Sequence, residues 1–215
     1  MSAHPDDAEI GAGGVLLRHA DRGDELTMLV LSEGENGARL RDSRRVEERR
    51  AADLLGARLR WGGFADDAIP FDRSSVDLIE RALDDTGADV LYVPAPNDSH
   101  QDHIATARAA IAAARTHARV LCYETPTTLE LRPTLYVDID ATMARKLELL
   151  ERHRSQVLGS RLCVVESIVA TARAHAFRGR TGGRHAEAFE VVRFRWDLID
   201  APAATGSSAA AETSV

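Results

Sequence analysis

The sequence predicts an α/β fold: a doubly wound, mostly parallel sheet with flanking helices, Rossmann-like in outline. Three observations point there. Short, almost continuously apolar runs, as expected of strands covered on both faces, alternate with amphipathic helical periods. Glycine and polar residues stand where those helices must stop. Two clusters of histidine and carboxylate sit at the starts of helices, one of them directly after an apolar run, and ligands in open α/β sheets bind beyond the carboxyl ends of strands.

The elements follow in order. Residues 8–22 have helical periodicity, with Ile10, Val15, Leu16 and His19 able to share a face, and Gly23 is the stop. Residues 25–31 are nearly all apolar and predict a buried strand; residues 32–42 are polar, contain Gly34 and Gly37, and predict a loop. A charged amphipathic helix over 43–55 ends at Gly56 and is followed by a short strand over 58–61. A helix over 76–83, a buried strand over 89–93, an Ala-rich helix over 104–115 and a strand over 120–123 continue the alternation. Residues 134–138 predict a strand, 142–153 and 167–176 helices, and 189–193 a last strand with alternating pattern. No repeat and no interior linker divides the chain, so residues 1–200 are expected to form one domain. The Ala/Ser/Thr-rich stretch 201–215 lacks periodicity and is expected to be disordered.

Composition excludes several classes. A formal charge of -7 argues against a nucleic-acid partner. No apolar run reaches the roughly 18 residues of a membrane span, and nothing resembles a secretory leader; a cytoplasmic protein is the expectation. Cys122 and Cys163 have neither zinc-finger nor redox spacing and are expected to be buried, reduced thiols. The oligomeric state, a homo-oligomer included, is left open.

The chemistry lies in the two clusters. Ala3-His4-Pro5-Asp6-Asp7 precedes the first helix, whose amides and dipole favour nearby carboxylates. His4 and Asp7, three apart on a turn stiffened by Pro5, can face one point, with Asp6 between them. Pro96-Asn97-Asp98-Ser99-His100-Gln101-Asp102-His103 follows the strand ending at Val93 and stands ahead of a helix. A capping carboxylate beside an incidental histidine accounts for either cluster alone, but not readily for both on one sheet edge. His4, Asp7 and His103 make two histidines and one carboxylate, the ligand set of a catalytic zinc site and equally of non-haem iron(II). Zn2+ is the expected cofactor, with Fe2+ as the alternative.

The paired signatures Ala3-His4-Pro5-Asp6-Asp7 and His100-Gln101-Asp102-His103 resemble those of the PIG-L/LmbE-like zinc N-deacetylases. Weaker likenesses follow in the right order: Ser32-Glu33-Gly34-Glu35-Asn36-Gly37, Arg44-Arg45-Val46-Glu47, His153-Arg154-Ser155-Gln156 and Ala186-Glu187-Ala188-Phe189. The resemblance implies a hydrolase that removes an N-acetyl group from an N-acetylglucosamine-containing small-molecule conjugate. It implies metal ligation by His4, Asp7 and His103, proton abstraction from water by Asp6, and His100 beside the developing oxyanion or the leaving amine. Asp102 is expected to hold the His100 ring and favour its charged form. Glu35, Arg44 (or Arg45, if the helix register differs) and Asp66 are expected beside the sugar, and His153 to line the site. His19 is expected to pack rather than react.

Two features depart from the family pattern. A related thiol-pathway deacetylase carries a tyrosine where this chain has Asp98, so a phenolic proton donor is absent there. The family pattern also has a buried strand before the first signature, and only Met1-Ser2-Ala3 precede His4 here. The expectation is a truncated first strand, with the native N-terminus upstream of Met1. Two rival readings stand beside the deacetylase: an amidase cleaving a larger acyl group, of the mycothiol S-conjugate type, and a non-catalytic sugar-binding homologue. A redox iron enzyme has only the ligand triad in its favour.

Overall fold

In the computed structural model, residues 1–37, 43–157 and 164–196 are described. The stretch 201–215 and Cys163 lie outside them. Helix α1 (Asp7–Arg22) leads into strand β1 (Thr27–Ser32), helix α2 (Ser43–Leu55) and strand β2 (Arg58–Phe64). Then come α3 (Arg73–Thr86), β3 (Val90–Pro94), α4 (Gln101–Ala113) and β4 (Arg119–Tyr123). Strand β5 (Leu135–Asp138), helices α5 (Met143–Leu150), α6 (Arg154–Val157) and α7 (Val164–Gly179), and strand β6 (Ala186–Phe194) complete the order. Gly23 and Gly56 stop α1 and α2 as expected, each with φ in the left-handed region that glycine enters at no steric cost. Helix α3 starts earlier than its apolar period suggests, because Asp72 and Ser75 form a capping box ahead of it.

Two hydrogen-bonded sets of strands form the sheet, β2-β1 and β3-β4-β6-β5. Residues 1–3 lie between them as a very short first strand. Ser2 N donates to Leu29 O at 3.0 Å and Leu31 N to Ser2 O at 3.1 Å, while the Met1 amine reaches Tyr92 O at 2.8 Å. Below these three residues a cleft of about 610 Å³ separates β1 from β3, lined by Leu26, Leu29, Leu83, Leu91 and Tyr92 among others. Pairing is parallel for β1 with β2 and β3 with β4, on the half that carries the histidine clusters. Strand β6 runs antiparallel to both β4 and β5. Its outer half is partly exposed, which suits the alternating pattern of an antiparallel strand.

The sheet is covered on both faces. Leu121, Tyr123 and Phe189 pack with α1, α2, α5 and α7, whereas Leu29, Leu31, Leu91, Val93, Val120 and Cys122 pack with α3 and α4. Burial pushes the Cys122 thiol up to about 12, with Glu190 adding to it, so this cysteine is the inert, reduced thiol expected. Helix α1 passes so close to the end of β4 that a Cβ on Gly11 would collide with the Tyr123 ring and Glu124 O. Among the described residues no helix is long and apolar enough to cross a membrane.

One buried ion pair enters the hydrogen-bond ladder of α1. Gly14 N and Val15 N donate to the two Glu187 carboxylate oxygens at 2.7 and 2.8 Å. Lys146 Nζ donates to Ile10 O at 2.7 Å and to Glu187 Oε1 at 2.6 Å. Gly14 N and Ile10 O are the donor and acceptor of one helical turn, and the pair serves both.

Candidate active site

The short first strand, β1, β2 and β3 all end at one edge of the sheet, and the segments leaving them build one site. The turn after Ala3 is held by its own acid: Asp7 Oδ2 accepts from Ala3 N at 3.1 Å and His4 N at 2.9 Å. Asp6, the N-cap of α1, has φ 91 and ψ -24, a left-handed conformation that costs a non-glycine residue about 1–3 kcal/mol. Beyond β3, Asp98 Oδ1 accepts His100 N at 2.8 Å, and His100 caps α4 by accepting Asp102 N on Nδ1 at 3.2 Å. Helix α4 therefore begins at Gln101, before any apolar period, and this start was not legible from periodicity.

The fold brings His4, Asp7 and His103 together, all three nearly inaccessible to solvent. His4 Nδ1 and His103 Nε2 lie 3.4 Å apart, His103 Nε2 and Asp7 Oδ1 3.3 Å, and His4 Nδ1 and Asp7 Oδ2 3.9 Å. Four ligands at tetrahedral zinc distances stand about 3.4 Å from one another, so these donors are spaced to close on a single divalent ion. Two imidazoles and a carboxylate suit zinc and iron(II) alike. Among the described residues, three further groups of acids and histidines lie as close together: His4–His100–Asp102, Asp66–Asp67–Asp102 and Glu9–Glu48–His153. Only in the first set, His4–Asp7–His103, do both rings aim a nitrogen at the shared carboxylate from buried, supported positions.

Each ring has its own support. His103 Nδ1 lies 3.2 Å from Asp98 Oδ2, which also accepts from Thr125 Oγ1 at 2.8 Å and Thr128 Oγ1 at 3.1 Å. A carboxylate on the far nitrogen fixes the tautomer and leaves Nε2 free to ligate. Asp98 thus supports His103 in this chain. Neither it nor the threonines past β4 were assigned from the sequence, although a threonine run beyond a buried strand was a usable signal. His4 Nε2 is held by Asp66 Oδ1 at 2.9 Å and Asp102 Oδ2 at 3.1 Å.

Asp102, Asp66, Arg44 and His153 make contacts other than those expected. Asp102 does not hold the His100 ring; it is fully buried, accepts Asp67 N at 2.8 Å and Ile69 N at 3.1 Å, and supports His4. Asp66 stands behind His4, with Asn36 N donating to its other oxygen at 3.0 Å. Arg44 is turned inward: its guanidinium donates to Pro5 O at 2.8 Å, Asp6 Oδ1 at 3.3 Å and Gly34 O at 3.4 Å. It passes Gly34 so closely that a Cβ there would overlap it. Glu35 stays at the exposed rim, accepting Asp66 N at 3.0 Å. His153 lies behind the site rather than lining it, with Nε2 3.0 Å from Glu9 Oε1. His19 is half-buried against Tyr92 and Asp24, away from the cluster.

Electrostatics separate the groups. Burial opposes charge on His103, but Asp7 and Asp98 outweigh it and lift its pKa to about 10. Burial likewise works against the Asp7 carboxylate, yet His103 and His4 hold it well below the ordinary range. Burial pushes Asp6 up to about 6 against the pull of Arg44, and Asp7 adds to the rise. His100 moves the other way: burial, His103 and His4 lower it. Its ring stacks on that of His103 with centroids 4.7 Å apart. Since Nδ1 accepts an amide proton, the neutral ring carries its own proton on Nε2. Burial and the neighbouring His103 and His4 rings thus work against the charged form expected of His100.

With this geometry, comparison with known proteins identifies the lineage. Residues 1–114 match PIG-L, the GlcNAc-PI de-N-acetylase family. The chain belongs to this family. It is 31% identical over 164 residues to the uncharacterized deacetylase YaiS of Escherichia coli, covering 72% of this chain and 89% of that one. It is 25% identical over 182 residues to the diacetylchitobiose deacetylase of Thermococcus kodakarensis, covering 73% of this chain and 68% of the other. Among solved structures, the conserved protein TT1542 from Thermus thermophilus superposes with a TM-score of 0.82 at 25% identity, over 94% of this chain and 97% of that one. The α/β architecture is therefore that of the PIG-L family.

Proposed function

We propose that the chain is a metal-dependent N-deacetylase that hydrolyses the N-acetyl group of an N-acetylglucosamine-containing small-molecule conjugate. The observation that carries this reading is the convergence of His4, Asp7 and His103, 3.3–3.9 Å apart, with the Asp6 carboxyl on the same turn. Family membership and the deacetylase relatives support it. His4, Asp7 and His103 would hold the ion, Zn2+ in the first instance. When bound, such an ion supplies Lewis acidity toward an amide carbonyl and acidifies water.

The chain's own residues then have separate tasks. Asp6 takes the proton of the attacking water; a pKa near 6 keeps it largely ionised at neutral pH while making it a stronger base than an ordinary aspartate. His100 donates a hydrogen bond from Nε2–H to the oxyanion, and Asp6 passes the proton it took from the water to the departing amine. The C–O bond forms first, giving the oxyanion; the C–N bond then breaks as the amine nitrogen is protonated, and the products are acetate and a free amino sugar. Asp98 orients His103, and Asp66 and Asp102 orient His4. Glu35, on the exposed rim, is placed to accept from sugar hydroxyls.

The test is acetate release from a panel of N-acetylglucosaminides by the zinc-loaded protein, with free amine measured in parallel. Acetate and amine appearing in equal amounts supports the reading. Release of only longer acyl groups points to the amidase instead, and no release at all from a metal-loaded chain removes both. Within the same account, Asp98→Ala weakens metal affinity by about 10–100-fold, the usual cost of losing a ligand's hydrogen-bond partner. Competition against a chelating dye measures it, and unchanged affinity contradicts the role given to Asp98.

A further inference from the structure

The conformation of Asp6 requires support, because a left-handed non-glycine residue persists only where its surroundings fix it. The peptide unit joining Pro5 to Asp6 is gripped at both ends by one face of α2. Pro5 O accepts from Arg44 Nη2 at 2.8 Å, and Asp6 N donates to Glu48 Oε2 at 3.4 Å. Arg44 and Glu48 are four residues apart, hence neighbours on the helix surface. The carbonyl and the N–H of a trans peptide point in opposite directions, so two contacts from one rigid helix define the plane of the bond, and with it φ of Asp6.

Glu48 is itself held from behind. It is fully buried, as are Glu9 and His153, and these three side chains bring one polar atom each within 4.8 Å of one another. His153 Nε2 lies 3.0 Å from Glu9 Oε1 and 3.8 Å from Glu48 Oε2. Among the described residues, Glu9 Oε2, Glu48 Oε1 and His153 Nδ1 have no hydrogen-bond partner. Leaving buried polar atoms unsatisfied costs about 1–3 kcal/mol each. A set of residues serving stability alone would be better replaced by apolar side chains.

We infer that Glu48 is a positioning residue for Asp6: with Arg44 it clamps the Pro5–Asp6 peptide and aims the Asp6 carboxyl at the water it deprotonates. The inference rests on the deacetylase reading. Glu9 and His153 fix the Glu48 side chain from the rear.

The test compares Glu48→Met, Glu48→Asp and Glu48→Gln, after wild type has been shown to release acetate. Glutamine matches glutamate in shape and keeps a carbonyl acceptor for Asp6 N, which Glu48 Oε2 meets at 3.4 Å. Methionine removes the acceptor at similar volume, and aspartate withdraws it by one methylene. Metal content stays at the wild-type value in all three, and KM changes little. The kcat of Glu48→Met and Glu48→Asp falls by about 10²-fold, as for a reacting group displaced by about 1 Å. Glu48→Gln stays within a few-fold of wild type. A crystal structure of either impaired variant shows φ of Asp6 outside the left-handed region. Wild-type kcat in folded Glu48→Met or Glu48→Asp overturns the inference, and so does a Glu48→Gln enzyme as slow as the other two. If Glu48→Met does not fold, the aspartate and glutamine variants decide alone. No acetate from wild type would instead remove the deacetylase reading before any variant is compared.

Discussion

Asp6→Asn lowers kcat by about 10²–10⁴-fold, the range for losing a positioned general base. The substitution is nearly isosteric, and the asparagine carbonyl can still accept from Arg44 Nη2, which stands 3.3 Å from Asp6 Oδ1. Backbone contacts of the turn, among them Ile10 N to Asp6 O at 2.9 Å, are untouched. The protein should therefore fold as wild type does and keep its metal while losing turnover. Steady-state acetate release, alongside elemental analysis and a thermal melt, checks all three. Retained turnover would move the proton-transfer role away from Asp6, with His100 the next group to examine.

Glu187→Ala is expected to be the most destabilising single change outside the site. It leaves the Lys146 ammonium buried without its carboxylate, and strips Gly14 N and Val15 N of their acceptor. Breaking a buried ion pair by removing one partner costs about 3–5 kcal/mol. At about 2–4 °C per kcal/mol for a chain of this size, Tm should fall by roughly 6–20 °C. The double variant Lys146→Met with Glu187→Leu should recover much of the loss, because no charge is then left without a partner. A single variant within about 1 kcal/mol of wild type would show that the pair and its helix contacts contribute little.

The sequence made some of this legible and withheld the rest for physical reasons. Each helix and strand expected from hydrophobic period is present, because period reports which face is buried, and burial is what the fold conserves along the chain. Helix α2 matches its expected span 43–55, bounded by a polar loop and Gly56. Starts set by polar caps were shifted, as at Asp72 and His100. The convergence of His4, Asp7 and His103 was legible because they are local spacings within two short signatures. Their supports were not: Asp102 meets His4 only because the backbone of Asp67 and Ile69 folds over it, and Asp98 meets His103 only where three threonines close the loop after β4. Arg44, expected beside the sugar, turns inward to the Pro5–Asp6 peptide, since the direction of a long side chain depends on what lies above its helix. The antiparallel run of β6 was likewise hidden, because alternation marks a strand without giving its direction.

The central claim is that two sequence clusters about a hundred residues apart close on one divalent ion. Elemental analysis of wild type and His103→Ala, purified side by side, tests it most directly. The account predicts about one zinc or iron per wild-type chain and none retained by the variant, with both proteins folded. Equal metal in the two, or none in a folded wild type after exposure to zinc and to iron(II), would contradict it.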